Sequence, residues 1–188
     1  MKSQNVFFLL ATWAVLAFSA CDQEDPATTP DTNVYESCCG DDPVEFNSGD
    51  AYLYVPNVFT PNADGINDYF APSINEQILG FDSYLIYTPV GDTVIFASSV
   101  YDPANVANTA WDGNRQNGAA YTGRFKYEFS VFLQGGGLYQ IEGYACRIAC
   151  GSDASIFKTK TGCYYPSQIN TSGYLDATLS NNESNCFE

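Results

Sequence analysis

The strongest periodic signal in the chain lies between residues 124 and 134. Phe125, Tyr127, Phe129, Val131 and Leu133 alternate with Arg124, Lys126, Glu128, Ser130 and Gln134, and Phe132 is the one apolar residue on the polar side. A period of two predicts a strand with one buried and one wet face. Gly135-Gly136-Gly137 interrupts the run, and Leu138 to Ile148 reads as the return strand. Glycine enters the positive φ angles of tight turns without steric cost, so a hairpin fits here. Upstream, Tyr52-Leu53-Tyr54-Val55 reads as a strand ended by Pro56 at an edge or bulge. Tyr84 to Tyr87 and Thr93 to Ala97 read as two more, around the turn signal Pro89-Val90-Gly91-Asp92. No segment sustains an apolar period of 3.6 residues, so a helical fold fails. Several short strands, mostly antiparallel neighbours, predict an all-β sandwich over residues 51–150. Residues 151–188 read as a loop-rich extension with one further strand near Ser155-Ile156-Phe157-Lys158.

The N-terminus follows another pattern. Lys2 precedes an uncharged apolar stretch that runs to Phe18, too short and too abruptly ended to be read first as a membrane span. It closes on Phe18-Ser19-Ala20-Cys21, which resembles the bacterial lipobox. That resemblance implies a signal peptide over residues 1–20, diacylglycerol on the Cys21 thiol and acylation of the amine freed by cleavage. Several acyl chains anchor stably where one binds only marginally. An ordinary secretory signal is the rival reading, and it does not explain why small residues and the cysteine stand where a lipobox needs them. Asp22, Gln23, Glu24 and Asp25 then form an acidic stretch similar to the surface-export signal of Bacteroidetes lipoproteins. The same residues also suit a solvated tether. Residues 21–50 lack either period and read as that tether, becoming ordered around Cys38 and Cys39.

Charge narrows the partners. The chain carries 22 acidic and 7 basic residues, a formal net charge of −15. Phosphate backbones repel such a surface, so no nucleic-acid partner is expected. The absence of histidine removes Ser-His-Asp and Cys-His nucleophiles together with imidazole metal ligation. No pair of carboxylates marks a recognisable pocket, and the chain is expected not to be an enzyme. Beyond Cys21, the cysteines are Cys38, Cys39, Cys146, Cys150, Cys163 and Cys186. In an exported chain they predict up to three disulfides among fifteen possible pairings. Zinc is disfavoured because adjacent cysteines do not match its usual ligand spacing. Cys38 and Cys39 cannot readily bond each other, so each is expected to staple a different part of the C-terminal half to the tether.

One stretch carries family information. Val55-Pro56-Asn57-Val58-Phe59-Thr60-Pro61-Asn62-Ala63-Asp64-Gly65-Ile66-Asn67-Asp68-Tyr69-Phe70 resembles the opening of the gliding-motility-associated C-terminal domain, the type B sorting domain of type IX secretion. Trp111-Asp112-Gly113 matches a turn of that family. Tyr84 to Tyr87 with Val90-Gly91-Asp92 follows its strand and turn without the usual Arg and Trp, and Glu142 to Ile148 echoes its closing strand. The resemblance covers residues 52–150 and implies an immunoglobulin-like β-sandwich. In secreted members the domain is terminal and is read by the secretion machinery. Here residues 151–188 follow it and Cys21 implies a lipoprotein export route, so the domain reads as a module for structure or interaction.

The chemical candidates are few. Asn62, Asp64, Asn67 and Asp68 surround Gly65, and oxygen-bearing side chains around a sharp turn can hold calcium. The competing reading has them cap the turn by accepting backbone N–H groups, and it is preferred because no bidentate Glu follows at the spacing of a calcium loop. Trp111 reads as a plug at the sandwich end before it reads as a sugar-stacking platform. Two function classes stand. The first is a non-catalytic surface lipoprotein acting as accessory subunit of an outer-membrane protein complex for nutrient transport, assembly, secretion or gliding. The second is a lipoprotein that binds a glycan or another extracellular ligand.

Overall fold

The structure, a computed structural model, describes residues 34–187; Cys21 and the acidic Asp22, Gln23, Glu24 and Asp25 lie outside the described residues. Among the described residues eight strands form: β1 (Val44–Ser48), β2 (Ala51–Val55), β3 (Val58–Phe59), β4 (Ser73–Ile74), β5 (Ile78–Tyr87), β6 (Val94–Ser98), β7 (Gly123–Leu133) and β8 (Leu138–Arg147). They make a three-stranded sheet in the order β1-β2-β4 and a five-stranded sheet in the order β3-β8-β7-β5-β6. The hairpin of β7 and β8 runs in register from Gly123↔Arg147 to Phe132↔Leu138. Its alternation is the one the sequence predicts, with Phe125, Tyr127, Phe129 and Val131 buried and Phe132 exposed on the outer side.

Those inward residues meet Leu53 and Val55 of β2 in one core between the sheets, shared with Phe59, Phe70, Tyr84 and Trp111. The core is largely aromatic. Trp111 and Phe70 stand edge-on to Phe125 at 4.8 and 4.9 Å, and Phe81 stacks on Phe129 at 4.5 Å. Both arrangements avoid the repulsive face-to-face sandwich of ring quadrupoles. Buried phenols find acceptors: the Tyr84 hydroxyl donates to the Phe70 carbonyl at 2.6 Å, and Tyr101 donates to Pro72 O at 2.6 Å. The result is the all-β sandwich of the immunoglobulin-like kind that the resemblance implies.

Two local expectations are corrected. The tether segment contains β1, which pairs antiparallel with β2 from Val44↔Val55 to Ser48↔Ala51. Only Val44 and Phe46 turn toward the core, too few apolar positions to announce a strand. The expected strand at Ser155–Lys158 is part of a 3₁₀ helix, Ser152–Lys158. Its buried residues Ala154 and Phe157 lie three apart, the repeat at which 3₁₀ side chains eclipse. The strand neighbours are mostly antiparallel, as expected, while β3 pairs parallel with β8. Pro56 offers no N–H to continue β2, and after it the chain crosses to the other sheet rather than turning back. Between β6 and β7 lies a short helical stretch, Pro103–Asn105 continued by Val106–Thr109; Asp102 caps it by accepting Ala104 N at 2.9 Å.

Strand β2 is buried on both faces. Its outward residues lie under the C-terminal extension: the Tyr54 hydroxyl donates to Tyr165 O at 3.1 Å, and the Tyr52 ring stacks on Tyr174 at 3.9 Å. A second apolar cluster joins Cys38, Val58, Cys146, Ile148, Phe157, Tyr165 and Phe187. The disulfides Cys38–Cys146, Cys39–Cys163 and Cys150–Cys186 bind these layers together. Cys38 and Cys39 reach separate parts of the C-terminal half, as their adjacency requires.

Candidate functional site

The loop that leaves β3 is closed by Thr60 N donating to Asn67 O at 3.0 Å. Within it, the Asp68 carboxylate gathers three amides. Its Oδ1 accepts from Asn62 N at 2.8 Å and Ala63 N at 2.6 Å, and its Oδ2 from Gly65 N at 2.7 Å. Asp64 accepts from Ile66 N at 2.9 Å and from Asn62 Nδ2 at 3.0 Å, while Asn62 Oδ1 accepts from Asp64 N at 3.1 Å. These bonds hold Ala63, Gly65 and Asn67 at φ of 63°, 88° and 50°, a region that disfavours β-carbons except where Asn or Gly stands. The structure thus brings the four calcium candidates into one loop. The oxygens of Asn62, Asp64 and Asp68 act as caps, whereas Asn67 Oδ1 accepts from Ser167 N, and among the described residues no group of three metal-ligating acidic or cysteine side chains forms.

Asn57, just before β3, and Thr60 and Asn67, after it, grip the extension. Asn57 donates through Nδ2 to Asp41 O at 2.7 Å and Gly162 O at 2.6 Å, and its Oδ1 accepts from Tyr164 N at 2.8 Å. Asn67 donates to Asn181 O at 2.8 Å and to Glu183 Oε1 at 2.6 Å, and its Oδ1 accepts from Ser167 N at 2.8 Å. The Thr60 hydroxyl donates to Glu183 Oε1. Buried polar groups must be paired, and here the pairs all lie between the motif and chain that follows it or precedes it. Position on the chain concealed this function, since hydrophobic period carries no information about which side chain a buried amide will meet.

Glu183 is the member that the sequence did not single out. It is 1% exposed, and its Oε2 has no hydrogen-bond partner among the described residues. Burial raises its carboxyl pKa, the hydrogen bonds from Thr60 and Asn67 oppose that, and the nearby Asp64 and Asp68 charges add to it. An acid whose folded pKa is raised contributes stability below the ordinary Glu range, and loses it as pH climbs through the raised value. Glu183→Gln is therefore expected to raise the denaturant midpoint at neutral pH and to flatten the decline of stability between mildly acidic and neutral pH. Paired urea titrations at the two pH values read this directly.

Trp111 is fully buried and donates through Nε1 to Asn114 O at 2.7 Å, so it plugs the sandwich end and offers no face to a sugar. Next to it, Asp112 caps the turn by accepting from Asn114 N at 2.9 Å and Asn114 Nδ2 at 2.8 Å. Gly113 takes φ of 84°, and a Cβ there would lie 2.9 Å from Pro61 Cγ. The glycine of this turn is thus required twice, by backbone conformation and by the approach of the motif loop.

Residues 53–148, just over half of the chain, match the family model of the CHU_C type IX secretion signal domain. No curated protein matches the chain. The matched span begins within β2 and ends one residue beyond β8. The motif loop lies inside it, and Gly162, Tyr164, Ser167, Asn181 and Glu183 lie outside it.

Proposed function

The chain belongs to the CHU_C type IX secretion signal domain family, and from that premise we propose that it is a non-catalytic, lipid-anchored subunit of an outer-membrane protein complex. A type IX secretion signal domain goes with a secreted or cell-surface-associated protein. Lipidation at Cys21 would hold such a protein at the membrane, and the acidic residues Asp22 to Asp25 would direct it to the outer face.

The observation that carries this reading is the grip of Asn57, Thr60 and Asn67 on the extension. A signal read by other proteins needs its polar groups accessible. In this chain Asn57, Thr60 and Asn67 of the opening motif are buried and bonded to residues 162–183, and three disulfides fasten the layers. A body so closed suits a rigid docking unit. Its strongly acidic surface limits adhesion to anionic lipid and nucleic acid, leaving protein contacts as the favoured kind.

Two measurements on native envelopes test the proposal. Fractionation with and without Cys21→Ala should find the wild-type chain in the outer membrane and the variant in soluble fractions. Native electrophoresis of gently solubilised membranes, followed by mass spectrometry of the band, should show the chain in a discrete assembly with a stoichiometric membrane protein. Migration as a monomer under conditions that preserve other envelope complexes would contradict the subunit role.

A further inference from the structure

Opposite the grip on the extension, the motif loop forms one wall of a cleft of about 410 Å3. Asn62, Asp68 and Tyr69 line that wall, and Asp112 and Asn114 of the Trp111 turn line the other. Arg147, at the end of β8, completes the lining; it is 8% exposed. Its guanidinium is poorly satisfied. Nη1 donates to Thr122 Oγ1 at 3.4 Å, a long contact, and Nε has no partner among the described residues. Arg124 shows the contrast, with Nε and Nη2 on Asp41 at 2.8 and 2.9 Å. A buried guanidinium this short of acceptors loses solvation that it does not recover within the protein; Nε is enclosed beside Gly113, so a ligand acceptor is favoured at the Nη groups.

We propose that this cleft binds one neutral pyranose residue of a glycan through its hydroxyl groups. The cleft combines donors and acceptors. Arg147 supplies N–H groups, while the exposed Asp112 carboxylate uses only one lone pair on each oxygen for Asn114. A carboxylate offers about four acceptor sites, so lone pairs remain toward the cleft. A hydroxyl both donates and accepts, and neighbouring sugar hydroxyls can meet an arginine and a carboxylate at once. Simple anions fit less well, because Asp68 and Asp112 flank the arginine on a chain of net charge −15. Simple cations fit less well because the arginine itself repels them. Pro61 and the Tyr69 ring give apolar wall against which a sugar C–H face can lie. The volume is within the range of small-ligand sites. The site goes beyond the subunit role and does not depend on it.

The test is a titration of the full chain with the methyl glycosides of glucose, galactose and mannose, followed by amide and arginine Nε–H resonances. At least one glycoside at millimolar concentration is expected to shift residues of the 61–69 and 112–114 loops and the Arg147 Nε–H. Asp112→Asn, at an exposed position, should weaken that binding by about tenfold, the effect of losing one charged acceptor. The assignment is overturned by silence with all three glycosides, by shifts confined to other surfaces, or by equal affinity in Asp112→Asn. It is overturned too if alanyl-alanine moves the same resonances more strongly, which would make the cleft a site for peptide termini.

Discussion

Trp111→Ala is expected to lower the unfolding free energy by about 4 kcal/mol, among the larger effects of any single change in this chain. The side chain is fully buried. It touches the core from three sides, with Phe59 at 5.4 Å, Phe125 at 4.8 Å and Tyr121 at 5.9 Å between ring centroids. Truncation removes this burial and opens a cavity that the surrounding rings and the fixed strand ends cannot fill. It also leaves the Asn114 carbonyl without its indole donor, in the turn that closes on Arg147 and Pro61. Urea unfolding followed by far-UV circular dichroism measures the loss. Phe132→Ala is the comparison, since Phe132 is 42% exposed on the outer face of β7 and should change stability by no more than about 0.5 kcal/mol. Similar losses in the two variants would show that the aromatic core is not packed as described.

Removing the Cys38–Cys146 bridge, as Cys38→Ala with Cys146→Ala, should cost about 3 to 4 kcal/mol. The bridge spans 108 residues, but Cys39–Cys163 beside it already ties the same parts of the chain together, so the loop left for it to close is only about 18 residues. It also sits inside the second apolar cluster, with Val58, Ile148 and Phe157. The Cys150–Cys186 bridge spans 36 residues, and its removal should cost a similar amount, about 3 to 4 kcal/mol. Guanidinium titrations of the two double variants measure both losses. A loss below about 1 kcal/mol in either would mean that the bridge adds little constraint to the unfolded chain.

The parts of this protein that the sequence revealed are those built on period or on a repeated chemical motif. The alternation from Phe125 to Leu133 announces β7 because a half-buried strand must place apolar residues at every second position. Trp111 was legible as a plug, and Asn62, Asp64 and Asp68 as caps, because those side chains bond locally, within six residues. What escaped were contacts made across long separations. Glu183 meets Thr60 over 123 residues, and nothing near Glu183 in the chain distinguishes it from a solvated acid. Tyr52-Leu53-Tyr54-Val55 was legible as a strand, but not that the extension covers Tyr52 and Tyr54, because a local pattern does not state which later segment of the chain will lie on it. Arg147 was visible only as the end of a strand. Its burial follows from the Trp111 turn folding over it, which no local pattern states.

The motif itself holds the extension in place. Hydrogen exchange measured by mass spectrometry on Asn57→Ala with Asn67→Gly tests this, the glycine preserving the positive φ at position 67. Amides across residues 160–183, including Tyr164 and Ser167, should exchange faster than in the wild-type chain while those of β7 and β8 keep their protection. Unchanged protection of residues 160–183 would contradict it, and would mean that the disulfides and apolar contacts hold the extension without the motif.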